Sequence, residues 1–126
     1  MTVTSKSILI IDDDQYLREL YQEILTEEGY HITTASDGNE GLDKIKSKKF
    51  DLVLLDVMMP KLDGIGFLKE ARKRNLEINA PKIILLTNLA HGPVLEEAQQ
   101  YGAKDYLIKA DLTPDQVVKK VKEYLQ

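Results

Sequence analysis

The 126-residue chain contains no cysteine, which excludes disulfides, thiolate zinc sites, iron–sulfur clusters and catalysis by a thiol. It has only two histidines, His31 and His91, and they lie too far apart in the sequence to suggest a pair of metal ligands. A surplus of positive charge is also lacking, because 17 lysines and arginines face 21 aspartates and glutamates and the net charge is −4. We therefore expect no direct binding of nucleic acid.

Long hydrophobic runs are absent as well. The uninterrupted aliphatic runs contain four residues each, at 8–11, 52–55 and 83–86, and are too short for a membrane span or a signal-peptide core. The composition does not shift along the chain, and no Gly/Ser-rich or Pro-rich linker interrupts it. These features predict one domain over residues 1–126, soluble and cytoplasmic, with no insertion into a membrane.

The aliphatic runs alternate with stretches of helical period. Runs that are apolar on both faces are typical of strands buried between two layers of helices. Two weaker strands are predicted at residues 31–35 and 106–108. Five helices are predicted. The first begins near Leu17 and ends before Gly29, and the second begins at Asp37. The third covers about residues 64–74, the fourth about residues 93–101, and the fifth begins at Thr113.

This order of elements predicts an α/β fold. Five strand-then-helix units favour a parallel sheet with right-handed crossovers and helices on both faces. At this length we expect a flavodoxin-like, doubly wound (βα)5 sandwich with strand order 2-1-3-4-5. In that order the first and third strands are neighbours, and ligands bind at their carboxyl ends.

Charged and polar side chains follow the predicted strands at that edge. The first strand ends in Asp12, Asp13 and Asp14, the third in Asp56, the fourth in Thr87 and the fifth in Lys109. Each of these residues alone is also typical of helix caps, turns and strand ends. Clustered carboxylates would repel a bare phosphate, whereas without histidine or cysteine they favour Mg²⁺. The combination therefore predicts a magnesium site.

The sequence resembles the receiver domain of two-component response regulators, from Ser7 to the last helix. The matching motifs are ILIIDDD at 8–14, DLVLLDVMMP at 51–60 followed by DG at 63–64, LLT at 85–87 and GAKDYLIK at 102–109. The resemblance implies that Asp56 accepts a phosphoryl group from a sensor histidine kinase or a histidine phosphotransfer protein. It also implies that Asp12, Asp13, Asp56 and the backbone carbonyl of Met58 hold Mg²⁺.

Three further roles follow from the resemblance. Lys109 would contact the phosphoryl oxygens, and the Thr87 hydroxyl would hydrogen-bond them once they arrive. Tyr106 would then turn inward and switch the face of the fourth helix, fifth strand and fifth helix for an unidentified downstream protein. The resemblance implies a phosphorylation-controlled signalling module and not a turnover enzyme. We expect no output domain, and we expect either a monomer or a dimer that forms on phosphorylation.

Two positions depart from the family pattern. Ala110 follows Lys109 where most members have proline joined by a cis peptide bond. Although a cis bond before alanine costs about 3–4 kcal/mol, we predict that it stays cis because the site needs Lys109 in place. Asn88 stands where alanine or glycine is usual, which predicts an altered rate of dephosphorylation and a changed phosphoryl half-life in Asn88→Ala.

Two other functions remain open at this point. A receiver-like scaffold that works without phosphorylation would keep the fold and lose the chemistry. A Mg²⁺-dependent phosphatase with an aspartyl-phosphate intermediate usually has a second acid two residues after its nucleophile, where this chain has Met58. Asp63 is a candidate second acceptor by its proximity, but its sequence context predicts that it caps the third helix.

Overall fold

A computed structural model describes residues 5–76, 81–88 and 91–126. Its centre is a sheet of parallel strands, β1 Ser7–Ile11, β2 His31–Ala35, β3 Leu52–Leu55, β4 Lys82–Thr87 and β5 Ala103–Ile108. The strands lie in the order β2-β1-β3-β4-β5. The predicted flavodoxin-like topology is therefore confirmed.

Helices cover both faces of the sheet. They are α1 Gln15–Glu27, α2 Gly38–Ser47, α3 Gly64–Lys73, α4 Gly92–Gln100 and α5 Pro114–Tyr124, and a short 3₁₀ turn, Lys109–Asp111, follows β5. Side chains of α2, α3 and α4 pack on one face, and those of α1 and α5 on the other. Within the described part of the chain, no helix is both long enough and apolar enough to cross a membrane.

Two hydrophobic cores explain why the central strands are aliphatic throughout. Successive side chains of a strand point to opposite faces, so Leu9 and Ile11 join the core under α2, α3 and α4. Ile8 and Ile10 join the core under α1 and α5. All four residues of β3 are buried in the same alternating way. The apolar runs thus place β1 and β3 side by side in the middle of the molecule, where their carboxyl ends form one edge.

Side-chain caps fix where several helices begin. Asp63 accepts a hydrogen bond from the backbone N–H of Gly66 at 2.7 Å, which confirms its predicted role as the cap of α3. Thr113 and Gln116 form a reciprocal capping box at the start of α5. Asp14 caps α1, because its carboxylate accepts a hydrogen bond from the backbone N–H of Leu17.

Strand β5 is longer than the sequence predicted. The prediction covered residues 106–108, but the strand begins at Ala103. Because β5 is the edge strand and Lys104, Asp105 and Tyr106 are exposed, this part of the strand lacks the aliphatic pattern that identified the central strands. The prediction therefore failed for the first half of this edge strand, whereas the other edge strand, β2, has its predicted bounds.

Candidate functional site

Three carboxylates meet at the carboxyl ends of two neighbouring strands. Asp12 and Asp13 follow β1 and Asp56 follows β3, which pairs directly with β1. Each residue offers one carboxylate oxygen, and these oxygens lie within 4.8 Å of one another. Asp12 and Asp56 are buried, whereas Asp13 is exposed. The fold therefore brings the three predicted magnesium-binding side chains together around one point.

Lys109 extends from the end of β5 into this cluster. Its Nζ donates a hydrogen bond to Oδ2 of Asp56 at 3.0 Å and lies 2.6 Å from Oδ2 of Asp12. The Lys109 side chain is only 9% exposed, so little solvent screens these ion pairs. The ammonium offsets part of the repulsion between the two buried carboxylates.

The environment shifts the pKa of Asp12 and of Lys109. Burial raises the pKa of the Asp12 carboxyl above its usual value, although hydrogen bonds from Lys109 and from the Asp14 N–H oppose the shift. Burial alone would lower the pKa of Lys109, but Asp12 and then Asp56 outweigh it and raise that pKa. Lys109 therefore keeps its positive charge at neutral pH.

A cavity of about 280 Å³ adjoins Asp56. It is lined by Asp56, Met58, Thr87, Asn88 and Lys109. Thr87 is buried at the carboxyl end of β4, whereas the Met58 side chain is 64% exposed at the rim. The predicted acceptor, hydroxyl and ammonium thus border one small space, which is of a size to admit a phosphoryl group.

Tyr106 lies outside the acid cluster. It sits on β5 opposite Leu85 of β4, and its side chain is 42% exposed. An outward side chain is the starting position that an inward switch requires. Its switching role stays a prediction.

The prediction of a cis bond before Ala110 is wrong, since none of the peptide bonds between described residues is cis. The chain after β5 instead forms the 3₁₀ turn Lys109–Asp111. In this turn the N–H of Ala110 donates to Oδ1 of Asn88 at 2.8 Å, while Lys109 still reaches Asp12 and Asp56. A trans bond avoids the cost of a cis bond and still places the ammonium in the site.

Two contributors to the site were not found from the sequence. Nη1 of Arg18 on α1 donates to the carbonyl oxygen of Asp12 at 2.7 Å, and the N–H of Asp14 donates to Oδ1 of Asp12 at 3.0 Å. These bonds hold the loop between β1 and α1. An arginine six residues after an aspartate has no distinctive pattern, so only the folded loop reveals this contact.

Comparisons with known proteins agree with this geometry. The family model of the response regulator receiver domain matches residues 8–122. The alkaline phosphatase synthesis transcriptional regulatory protein PhoP of Bacillus subtilis is 38% identical over 122 residues, which cover 97% of this chain and 49% of PhoP. The chemotaxis protein CheY of Thermotoga maritima is 36% identical over 114 residues, 90% of this chain and 92% of CheY.

The relatives differ in how much of their length is matched. The chain spans 39% to 51% of four transcriptional regulators but 92% of the Thermotoga protein. The absence of an output domain therefore stays a prediction.

A solved structure confirms the fold. The CheY-like response regulator receiver domain protein of Methanospirillum hungatei has a TM-score of 0.87 and 34% identity, over 97% of this chain and 94% of that one. Sequence, topology and the arrangement of strand-end residues agree, and the chain belongs to the receiver domains of two-component response regulators.

Proposed function

We propose that this receiver domain is a phosphoacceptor in a two-component phosphorelay, with Asp56 as the acceptor. The observation that carries the proposal is the buried contact of Lys109 with Asp56 and Asp12 beside a small cavity. The phosphoryl donor would be the phosphohistidine of a sensor kinase or of a histidine phosphotransfer protein, as family membership suggests.

The chemistry is a single displacement at phosphorus. A carboxylate oxygen of Asp56 forms a new bond to phosphorus as the bond between phosphorus and the donor nitrogen breaks, and the electron pair of that bond returns to the imidazole. Lys109 offsets negative charge on the phosphoryl oxygens, and the Thr87 hydroxyl donates a hydrogen bond to one of them. Both side chains line the same cavity as Asp56, which supports these roles.

The acid cluster fits Mg²⁺. Three carboxylates that offer oxygens to one point form the hard, oxygen-only donor set that this ion prefers. Asp12, Asp13 and Asp56, with the backbone carbonyl of Met58, would hold it. When bound, the ion supplies positive charge that reduces repulsion between the attacking carboxylate and the phosphoryl oxygens. Lys109 pairs with two of the three carboxylates, Asp12 and Asp56, so the cluster keeps a net negative charge that a bound cation would offset.

Phosphorylation would act on the surface through Thr87 and Tyr106. Thr87 would move toward the phosphoryl group, and Tyr106 would turn into the space that it leaves. The face of α4, β5 and α5 would then bind a downstream protein differently. We expect a population shift with a coupling free energy of about 1–3 kcal/mol, which changes partner affinity about 5- to 150-fold.

Intact mass measurement tests the proposal. The protein is incubated with acetyl phosphate, with Mg²⁺ or with EDTA, as wild type, Asp56→Asn and Asp63→Asn. We expect a gain of one phosphoryl group in the wild type that requires Mg²⁺, and none in Asp56→Asn. Asp63→Asn is the matched control, because Asp63 caps α3, and it should still gain the group. Equal gain in Asp56→Asn would contradict the proposal.

Two rival functions predict different results. A phosphorylation-independent scaffold would gain no mass, and its Asp56→Asn variant would bind the partner as well as the wild type does. Such a scaffold has no need of buried charges, because apolar replacement of a buried ion cluster is often neutral or stabilising. A phosphatase would release phosphate continuously from a phosphate ester, but the exposed Met58 stands where its second acid would be.

A further inference from the structure

We infer that Asn88 is a positioning residue for Lys109, and that it acts through a hydrogen bond to the backbone of Ala110. The inference rests on the proposed function, since the ammonium it positions is the one that would meet the phosphoryl oxygens. Its basis is the hydrogen bond that the N–H of Ala110 donates to Oδ1 of Asn88 at 2.8 Å.

The bond joins the two chain segments that carry the functional side chains. Asn88 directly follows Thr87, the last residue of β4, and Ala110 directly follows Lys109. Strands β4 and β5 pair without a register shift from Ile84 and Asp105 to Thr87 and Ile108, so the two segments leave the sheet side by side. The Asn88 side chain therefore ties the peptide after Lys109 to the end of β4.

This hydrogen bond is important because the Lys109 ammonium must reach two carboxylates at the same time. Its Nζ contacts two carboxylates on two other strands, Asp12 after β1 and Asp56 after β3. A lysine side chain is long and flexible, and reaching both acids limits where its backbone can lie. Fixing the peptide between Lys109 and Ala110 restricts that backbone and favours the conformation in which the ammonium reaches the site.

The hydrogen bond requires a particular kind of residue at both position 88 and position 110. A proline at position 110 would have no N–H to donate, and it would disfavour the helical conformation that Lys109 adopts in the 3₁₀ turn. Alanine or glycine at position 88 would have no side-chain acceptor. One hydrogen bond thus joins Asn88 and Ala110, the two residues at which the sequence departs from the pattern it resembles.

A double-mutant cycle tests the inference. The rate constant for phosphorylation by acetyl phosphate with Mg²⁺ is measured for wild type, Asn88→Leu, Ala110→Pro and the double variant. Leucine keeps the approximate size of asparagine without its acceptor. We expect Asn88→Leu to lower the rate constant about 3- to 10-fold, the range of one net hydrogen bond. In the Ala110→Pro background the same replacement should change it less than about twofold.

The cycle also separates positioning from steric shielding. If Asn88 instead acts by its size, blocking water or the donor as the predicted effect on dephosphorylation assumes, Asn88→Leu keeps that size and should leave the rate constant nearly unchanged in both backgrounds. Equal effects of Asn88→Leu with Ala110 and with Ala110→Pro would overturn the inference. Urea unfolding of all four proteins shows whether a lower rate follows from lost stability instead.

Amide hydrogen exchange provides a test that does not need phosphorylation. In the unphosphorylated protein, Asn88→Leu should speed exchange of the Ala110 N–H about 3- to 10-fold, whereas Asn88→Asp, which keeps Oδ1, should not. Unchanged exchange in Asn88→Leu would show that the bond is not formed and would overturn the inference. If the wild type gains no phosphoryl group, the proposed function fails, while the exchange result still decides whether the bond exists.

Discussion

At the residue scale, Gly64 allows the start of α3 to lie against the end of β3. Its N–H donates to the carbonyl oxygen of Val57 at 2.9 Å. A Cβ atom at this position would lie 2.9 Å from the Cα of Val57 and closer still to the carbonyl oxygen of Asp56. Because those atoms belong to the backbone, they cannot rotate away. The glycine of the DG motif therefore supports the chain directly after Asp56, the proposed acceptor.

Gly64→Ala should both destabilise the protein and displace Asp56, the proposed acceptor. We expect a loss of about 1–3 kcal/mol in the free energy of unfolding, the usual cost of overpacking, and slower phosphorylation of Asp56. Urea denaturation and labelling by acetyl phosphate measure the two effects. Gly92→Ala is the matched control, since a Cβ there meets no atom of the described residues within 4 Å, and both quantities should stay near wild type. Equal stability of Gly64→Ala and wild type would contradict this account of the motif.

Individual residues also show what the sequence can and cannot predict. The meeting of Asp12, Asp56 and Lys109 was predictable because each follows a strand, and parallel strands carry such residues to one edge. The contacts of Arg18 and Asn88 were not predictable, since they depend on loop conformations that have no periodic pattern.

At the element scale, polar contacts at the C-terminal end of α5 hold this helix to the sheet. The hydroxyl of Tyr124 donates to Oδ2 of Asp105 on β5 at 2.7 Å, and Nζ of Lys82 on β4 donates to the carbonyl oxygen of Tyr124 at 2.6 Å. Burial, together with the hydrogen bond and charge of Asp105, raises the pKa of Tyr124 well above its usual value. This contact anchors one side of the face proposed to bind the downstream protein.

The raised pKa predicts a loss of stability at alkaline pH. An unfolded tyrosine ionises near pH 10, while Tyr124 in the folded protein keeps its proton, so the free energy of unfolding falls as pH rises above about 10. Tyr124→Phe should cost about 0.5–1.5 kcal/mol at pH 7 and a smaller amount at pH 11.

Urea unfolding at the two pH values measures this difference. Tyr16→Phe is the control, because Tyr16 is 71% exposed on α1 and its replacement should have the same small effect at both pH values. A cost of Tyr124→Phe that stays constant or grows between pH 7 and pH 11 would show that the Tyr124 hydroxyl does not favour the folded state.

The elements differ in how well the sequence predicts them. The central strands are buried on both faces, so their aliphatic runs identified them directly. Edge strand β5 has exposed charged residues at Lys104 and Asp105, and its first half was missed. Helix α2 contains Gly41 although glycine disfavours helices, because a Cβ there would meet the side chains of Ile11 and Phe67 and the glycine allows close packing.

At the scale of the whole molecule, we expect that charge added at Asp56 changes the surface at Tyr106. The two residues lie on different strands, separated by β4 and its buried Thr87. In protein labelled with 3-fluorotyrosine, the ¹⁹F signal of Tyr106, assigned with Tyr106→Phe, should shift when the wild type is phosphorylated. The signal should not shift in Asp56→Asn and should shift less in Thr87→Ala. A shift of equal size in Thr87→Ala would contradict the proposed route.

The central claim is that Asp56 forms the aspartyl phosphate. The most direct measurement is to treat the protein with acetyl phosphate and Mg²⁺, reduce it with borohydride, which converts an aspartyl phosphate to homoserine, and locate the homoserine by tandem mass spectrometry. We expect homoserine at position 56 and none when EDTA replaces Mg²⁺. Homoserine at Asp12 or Asp63, or at no position, would contradict it.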